Sequence, residues 1–196
     1  MDAKVSTGCQ PGRDEPPDSS KCGHPAFSLE ASAATPQLRP FRISDLEEAH
    51  RLDQVCFAPG IAYSRADLSA YVRMRNAKAW VAEVVERGHT SLAGFVIANH
   101  GRSAQGHIIT VDVSPRWRRH GVGTLLMDAA EGWLRQQGAE IVYLETAEDN
   151  LPAQTFYLRR GYAKLRWIEN YYADGVAAWL MAKSLGDERS AEGSKQ

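Results

Sequence analysis

Three features of this 196-residue sequence predict an α+β fold with a mixed, mostly antiparallel central sheet. Three strand-length apolar runs follow one another in mid-chain, separated by glycine and polar residues as hairpins require. A strand–helix–strand crossover comes next, and two further strands close the domain around a loop. Roughly four helices flank the sheet, in the order β-α-α-β-β-β-α-β-α-β-β.

Leu38–Arg42 reads as a short strand. Ser44 and Glu47 have capping-box spacing, and Leu46, Ala49, Leu52 and Cys56 follow at helical intervals. A second helix starts at Ser64 and carries Leu68, Tyr71 and Val72 on one face. The three consecutive strands are Ala79–Val85, Ser91–Ala98 and His107–Val113, with Gly88 and Gly101 punctuating the turns. The clearest helix then carries Val122, Leu126, Ala129, Ala130 and Trp133, and Gly138 marks its stop. Ile141–Glu145 is a strand, and Asn150 caps a helix whose Pro152, in the first turn, costs no hydrogen bond. That helix ends at Gly161, and Tyr162–Ile168 and Val176–Ala182 finish the fold around the loop Glu169–Gly175.

Residues 1–36 are rich in Pro, Ser, Ala, Gly and Asp, with few large apolar side chains. Such a segment cannot bury enough surface to offset its ordering entropy, so it is expected to be a disordered tail. The folded domain is expected over residues 37–185, and residues 186–196 form a second disordered tail. Hydrophobic residues make up 43% and charged residues 24%, the balance of a soluble globular protein. A net charge of −1 gives no basic excess for nucleic acid. The longest apolar runs are of strand length, which gives no membrane span and no secretory signal. Three cysteines without a CxxC pair suggest neither disulfide framework nor zinc site, and a reducing, cytoplasmic setting is expected.

The strongest chemical signal is the stretch Val111-Asp112-Val113-Ser114-Pro115-Arg116-Trp117-Arg118-Arg119-His120-Gly121-Val122-Gly123-Thr124. A strand runs into a basic, glycine-containing turn that opens directly onto a long helix. The first turn of a helix has N–H groups without intrahelical partners and a partial positive charge. Glycines let the backbone approach an anion closely, so with the arginines this is a diphosphate cradle. A P-loop is excluded because no Lys precedes Thr124, and a dinucleotide fingerprint because Leu126 stands where a third small residue is needed.

Arg118-x-x-Gly121-x-Gly123 resembles the [QR]xxGx[GA] signature of the GNAT acetyltransferase superfamily, in its place between the fourth strand and third helix. The resemblance covers residues 37–184, and Leu144-Glu145-x4-Asn150-x2-Ala153-x3-Tyr157-x3-Gly161-Tyr162 reinforces it. This second stretch is similar to the ribosomal-protein-alanine and protein N-terminal acetyltransferase branch. The resemblance implies acetyl-CoA as co-substrate, without a metal, held between splayed fourth and fifth strands. Its diphosphate would lie on Arg118, Arg119, His120, Gly121, Val122, Gly123 and Thr124. Val111, Asp112 and Val113 would bind the cofactor, a backbone N–H among them serving the oxyanion, and Asn150 would contact the cofactor too. Glu145 would be the general base and Tyr157, twelve residues later, the general acid. Tyr171 and Tyr172 resemble the tyrosine pair of the loop that shapes the acceptor peptide's groove.

Acyl transfer to an amine needs a neutral nucleophile, a stabilised oxyanion and a proton for the departing thiolate. A carboxylate and a phenol meet the first and last needs. Each residue also has a plainer reading, as strand-end carboxylate, core aromatic or helix cap. The expected acceptor is a protein N-terminal α-amine. A small amine or a lysine side chain stays open, because the Cys56–Ser64 loop is longer than usual in that branch. A CoA-binding module without turnover is the alternative outside enzymology.

Overall fold

Successive residues of a strand face opposite sides of a sheet, and the segment from Ala79 to Ala98 uses both. Ala79, Val81, Phe95 and Ile97 pack with Leu46, Ala49 and Leu68 on one side. Trp80, Ala82, Val84, Val96 and Ala98 pack with Val122, Leu126, Met127, Ala130 and Leu134 on the other. Helices must therefore cover both faces. The computed structural model describes residues 35–186, Arg102 and Asp174 excepted. Apart from Thr35, Pro36 and Gly186, the two expected tails lie outside the described residues.

The elements in chain order are β1 (Gln37–Pro40), α1 (Leu46–Cys56), α2 (Arg65–Arg73), β2 (Ala77–Glu86), β3 (His89–His100) and β4 (Gln105–Val113). After them come α3 (Val122–Gln136), β5 (Ile141–Ala147), α4 (Leu151–Arg159), β6 (Ala163–Ile168) and β7 (Ala178–Ser184). This is the element order read from the sequence, with boundaries moved by a few residues. One sheet of seven strands runs β1-β2-β3-β4-β5-β7-β6. Every neighbouring pair is antiparallel except β4 and β5.

The expected capping box at Ser44 does not form. Ile43–Asp45 make a tight 3-10 turn, and the α-helix begins only at Leu46. The Asp45 carboxylate is drawn elsewhere: Oδ2 accepts from the Arg42 N–H at 2.7 Å and from Arg39 Nη1 at 2.7 Å. The reciprocal cap thus forms two residues upstream of the expected one, at Arg42 and Asp45. Ser64, by contrast, does cap α2, accepting from the Asp67 N–H at 3.1 Å.

The parallel pair is short. Gln105–His107 match Ile141–Tyr143, and beyond that point β4 and β5 separate. β4 stays with β3 as far as Val113, while β5 stays with β7 as far as Ala147. The sheet therefore opens into a V at the carboxyl ends of its two middle strands.

Candidate active site

The V is the wall of a cleft of about 720 Å³. Past His107, β4 has no strand on its β5 side, so alternate residues turn their backbone groups toward the opening. The Ile109 carbonyl accepts from the Tyr63 hydroxyl at 3.4 Å, and the Val113 carbonyl from Arg118 Nε at 3.2 Å. By the two-residue period Val111 presents its N–H and C=O to the same edge. Val111 and Val113 both line the cleft. Asp112 belongs to the opposite set. It pairs with Phe95 of β3, and its side chain is fully buried away from the cleft.

The basic turn closes the far end. Gly121 takes φ +81°, a conformation that L side chains adopt only under strain, and this lets the chain reverse directly into α3. No side chain caps that helix and no acidic residue sits in its first turn, which leaves the leading N–H groups for an anion. Arg118, Arg119, Gly121, Gly123 and Thr124 line the cleft. Two residues of the expected cradle do not. Val122 turns into the core, and His120 is exposed, with Nδ1 2.8 Å from the Arg118 carbonyl. Gly123 is small for a reason of packing as well: an added Cβ would stand 3.3 Å from the Phe156 ring.

At the vertex of the V, Glu145 points into the cleft, and its Oε2 lies 2.7 Å from Nε2 of His107. β5 runs on to Ala147, so Glu145 stands within the strand rather than at its end. His107, the last β4 residue paired with β5, is half-exposed behind the carboxylate. Tyr157 on α4 lines the same cleft and is 8% exposed. Burial pushes its phenol well above the ordinary tyrosine range, with the Asp112 carboxyl adding to the effect. Its ring packs edge-on to Tyr162 at 5.7 Å and tilted against Phe156 at 5.4 Å. Asn150 caps α4 by accepting from the Ala153 N–H at 3.2 Å and also lines the cleft. Buried Gln154 holds the preceding turn, donating to the Ala147 and Glu148 carbonyls at 3.0 and 2.8 Å.

The remaining wall is apolar and aromatic. Cys56 at the end of α1, and Phe57, Ala58, Ile61 and Tyr63 from the loop that follows it, face Tyr172 from the loop between β6 and β7. The Ala173 N–H donates to the Gly60 carbonyl at 3.3 Å, so the two loops meet. Tyr172 lines the cleft, whereas Tyr171 is 44% exposed and stacks edge-on against it at 4.9 Å. Burial and then the nearby Glu145 carboxylate push the Tyr171 phenol up to about 12.

Residues 45–162 match the Acetyltransferase (GNAT) family along their whole extent. This chain is a member of the GNAT acetyltransferase family. It is 38% identical over 82 residues to an N-alpha-acetyltransferase of Sulfurisphaera tokodaii. That stretch is 41% of this chain and 49% of the relative, so the chain spans about half the relative's length. Among solved structures, Ard1 of Thermoplasma volcanium superposes with a TM-score of 0.69 at 27% identity, covering 78% of this chain and 99% of that one. NAA60 of Arabidopsis thaliana, solved with acetyl-CoA, shares the fold at 21% identity and a TM-score of 0.66, over 77% of this chain and 99% of that one.

Within this GNAT fold, His107 is the main residue that sequence reasoning passed over. Its signal was slight: one imidazole at the start of a strand that is mostly apolar and β-branched but also carries Asp112. Phe57, Ile61 and Tyr63 were noticed only as parts of an unusual loop. Among the described residues no group of three or more His, Cys, Asp or Glu is placed to hold a metal ion. No described helix is long and apolar enough to cross a membrane.

Proposed function

We propose that this chain transfers an acetyl group from acetyl-CoA to a primary amine, and that its acceptor is the α-amine of a protein N-terminus. The observation that carries the reading is the Glu145–His107 pair at the vertex of a cleft that Tyr157 also lines. The name of the Sulfurisphaera relative and the acetyl-CoA bound to Arabidopsis NAA60 support the acceptor and the donor.

In this reading the diphosphate of the donor lies on Arg118, Arg119, Gly121, Gly123 and Thr124, at the start of α3. The acetyl-bearing arm runs along the open edge of β4 at Val111 and Val113, with Asn150 across from it. Glu145 takes the proton of the incoming ammonium, and half-exposed His107 behind it offers that proton a route to solvent. The freed nitrogen attacks the thioester carbonyl, and backbone N–H groups of β4 receive the developing oxyanion. Collapse of that intermediate breaks the C–S bond. Tyr157 gives its proton to the departing thiolate; a phenol already holds that proton at neutral pH, and burial holds it more firmly. An α-amine with pKa near 8 gives up its proton far more readily than lysine near 10.4. Tyr171 and Tyr172 shape the groove through which an extended N-terminus reaches Glu145.

The test is release of CoA from acetyl-CoA against N-terminal peptides, internal-lysine peptides and polyamines. N-terminal peptides should be acetylated with the highest kcat/KM. Preference for lysine or polyamine would move the acceptor to another amine. Tight acetyl-CoA binding with no turnover on any amine would make the chain a binding module.

A further inference from the structure

Glu131, in the second half of α3, is 4% exposed and does not line the cleft. Its carboxylate joins α3 to the end of α4, to the turn that follows and to β7. Oε1 accepts from the Tyr162 hydroxyl at 3.2 Å and from Arg160 Nε at 3.3 Å. Oε2 lies 2.6 Å from Lys183 Nζ and 3.1 Å from Arg160 Nη2. Arg160 also reaches Asp128, one turn earlier on α3, at 2.7 Å. A carboxylate taken out of water is tolerated when cations and donors satisfy it in this way. Replacing a buried ion pair by apolar packing often leaves stability unchanged, so stability alone does not account for the cluster.

Both groups that Glu131 holds at the end of α4 bear on Tyr157. Arg160 is the capping residue of that helix, and its N–H donates to the Tyr157 carbonyl at 3.0 Å. The Tyr162 N–H donates to the same carbonyl, also at 3.0 Å, and the Tyr162 ring packs edge-on against the Tyr157 ring at 5.7 Å. The Arg160 guanidinium lies over the ring of Phe156, the neighbour against which Tyr157 tilts. The Tyr157 hydroxyl itself has no hydrogen bond among the described residues. Its aim is therefore set from behind, by the main chain and the rings that Arg160 and Tyr162 fix.

We propose that Glu131 is a positioning residue, which through Tyr162 and Arg160 fixes the last turn of α4 and so aims the Tyr157 hydroxyl into the cleft. The inference rests on the reading of Tyr157 as the general acid. Glu131 touches neither donor nor acceptor, and it acts on the reaction only by where it puts that proton.

Two substitutions loosen the hold to different degrees. Tyr162→Phe keeps the ring and the N–H and removes only the bond to Glu131, whose oxygen still has Arg160. It should lower kcat for CoA release with a peptide acceptor about tenfold, the worth of one hydrogen bond to a charged group. Glu131→Ala releases Tyr162 and Arg160 together. It should lower kcat about a hundredfold, the cost of a reacting group misplaced by about 1 Å. Acetyl-CoA affinity by calorimetry should be kept in both. Glu131→Gln still offers an oxygen to the Tyr162 hydroxyl but no longer balances Arg160 and Lys183. It should recover most of kcat while its melting temperature stays below that of the natural chain.

The deciding measurement is the same set of substitutions made again in the Tyr157→Phe background. An effect that travels through the Tyr157 proton disappears once that proton is gone, whereas a general loosening of the domain acts equally with or without it. Neither Tyr162→Phe nor Glu131→Ala should lower kcat further there. The same fold loss in both backgrounds overturns the positioning role, as does a kcat that simply follows melting temperature through the variants. If Glu131→Ala does not fold, Tyr162→Phe, which leaves every ion pair of the cluster in place, carries the comparison. A natural chain that acetylates no amine sinks the enzymatic reading. Tyr157→Phe without effect on kcat sinks the general acid, and this inference with it. Turnover that depends on Tyr157 but shows equal losses in both backgrounds removes Glu131 alone.

Discussion

Replacing Tyr157 with Phe removes one oxygen and one proton and leaves everything else in the cleft wall standing. The ring contacts with Phe156 and Tyr162, at 5.4 and 5.7 Å, do not involve the hydroxyl. Among the described residues, no hydrogen bond to that hydroxyl is formed, so its loss orphans no partner. Stability should move by less than about 0.5 kcal/mol, the range of changes that disturb no packing and no network. The effect on chemistry is of another order. General acids contribute about a hundredfold to ten-thousandfold, so kcat should fall by about 3–5 kcal/mol in barrier terms. Because burial raises the phenol, the natural chain should show no loss of this proton below about pH 10, the ordinary tyrosine value. The assay is CoA release with a peptide acceptor, alongside calorimetry with acetyl-CoA and a thermal melt. A variant that keeps half of the natural kcat refutes the role. So does a kcat loss matched by an equal loss of acetyl-CoA affinity, since that would mark Tyr157 as a packing residue.

Glu145→Gln removes the carboxylate proposed to accept the proton while keeping a polar group beside His107. Its defect should be largest in acid and shrink as pH approaches the α-amine's own pKa near 8, where solvent deprotonates the acceptor unaided. A defect constant from pH 6 to 9 (roughly the span around that pKa) would remove Glu145 from proton transfer. Gly94 on β3 lies against the Asp112 carbonyl, and a Cβ there would also come within 3.0 Å of Leu126 Cδ1. Gly94→Ala should therefore destabilise the domain by about 1–3 kcal/mol through overpacking, and an unchanged denaturant midpoint would contradict the packing.

Much of the fold was legible because its causes are local. Val122, Leu126, Ala130 and Leu134 recur at helical spacing, and the alternation through Ala79–Ala98 gives strands with two buried faces. The Arg118–Gly123 turn could be recognised since an anion cradle is built from consecutive residues at a helix start. Glu145 and Tyr157 were named together through the family resemblance, whose motif spans the one turn joining their strand and helix. Asp112 shows a signal that was present and not used. The two-residue period that turns Val111 and Val113 to the open edge also turns Asp112 away from it.

What the sequence determined by itself, then, was every element whose stabilising contacts lie within a few turns of chain. It also determined the family to which those elements belong. The tertiary structure decided the rest, because the remaining contacts join residues that only the sheet brings together. His107 meets Glu145 across the vertex only since β5 leaves β4 to pair with β7. Asp53 on α1 and Asp112 on β4 are both sealed from solvent once α1 packs against β4, and burial raises each carboxyl above the range it holds in water.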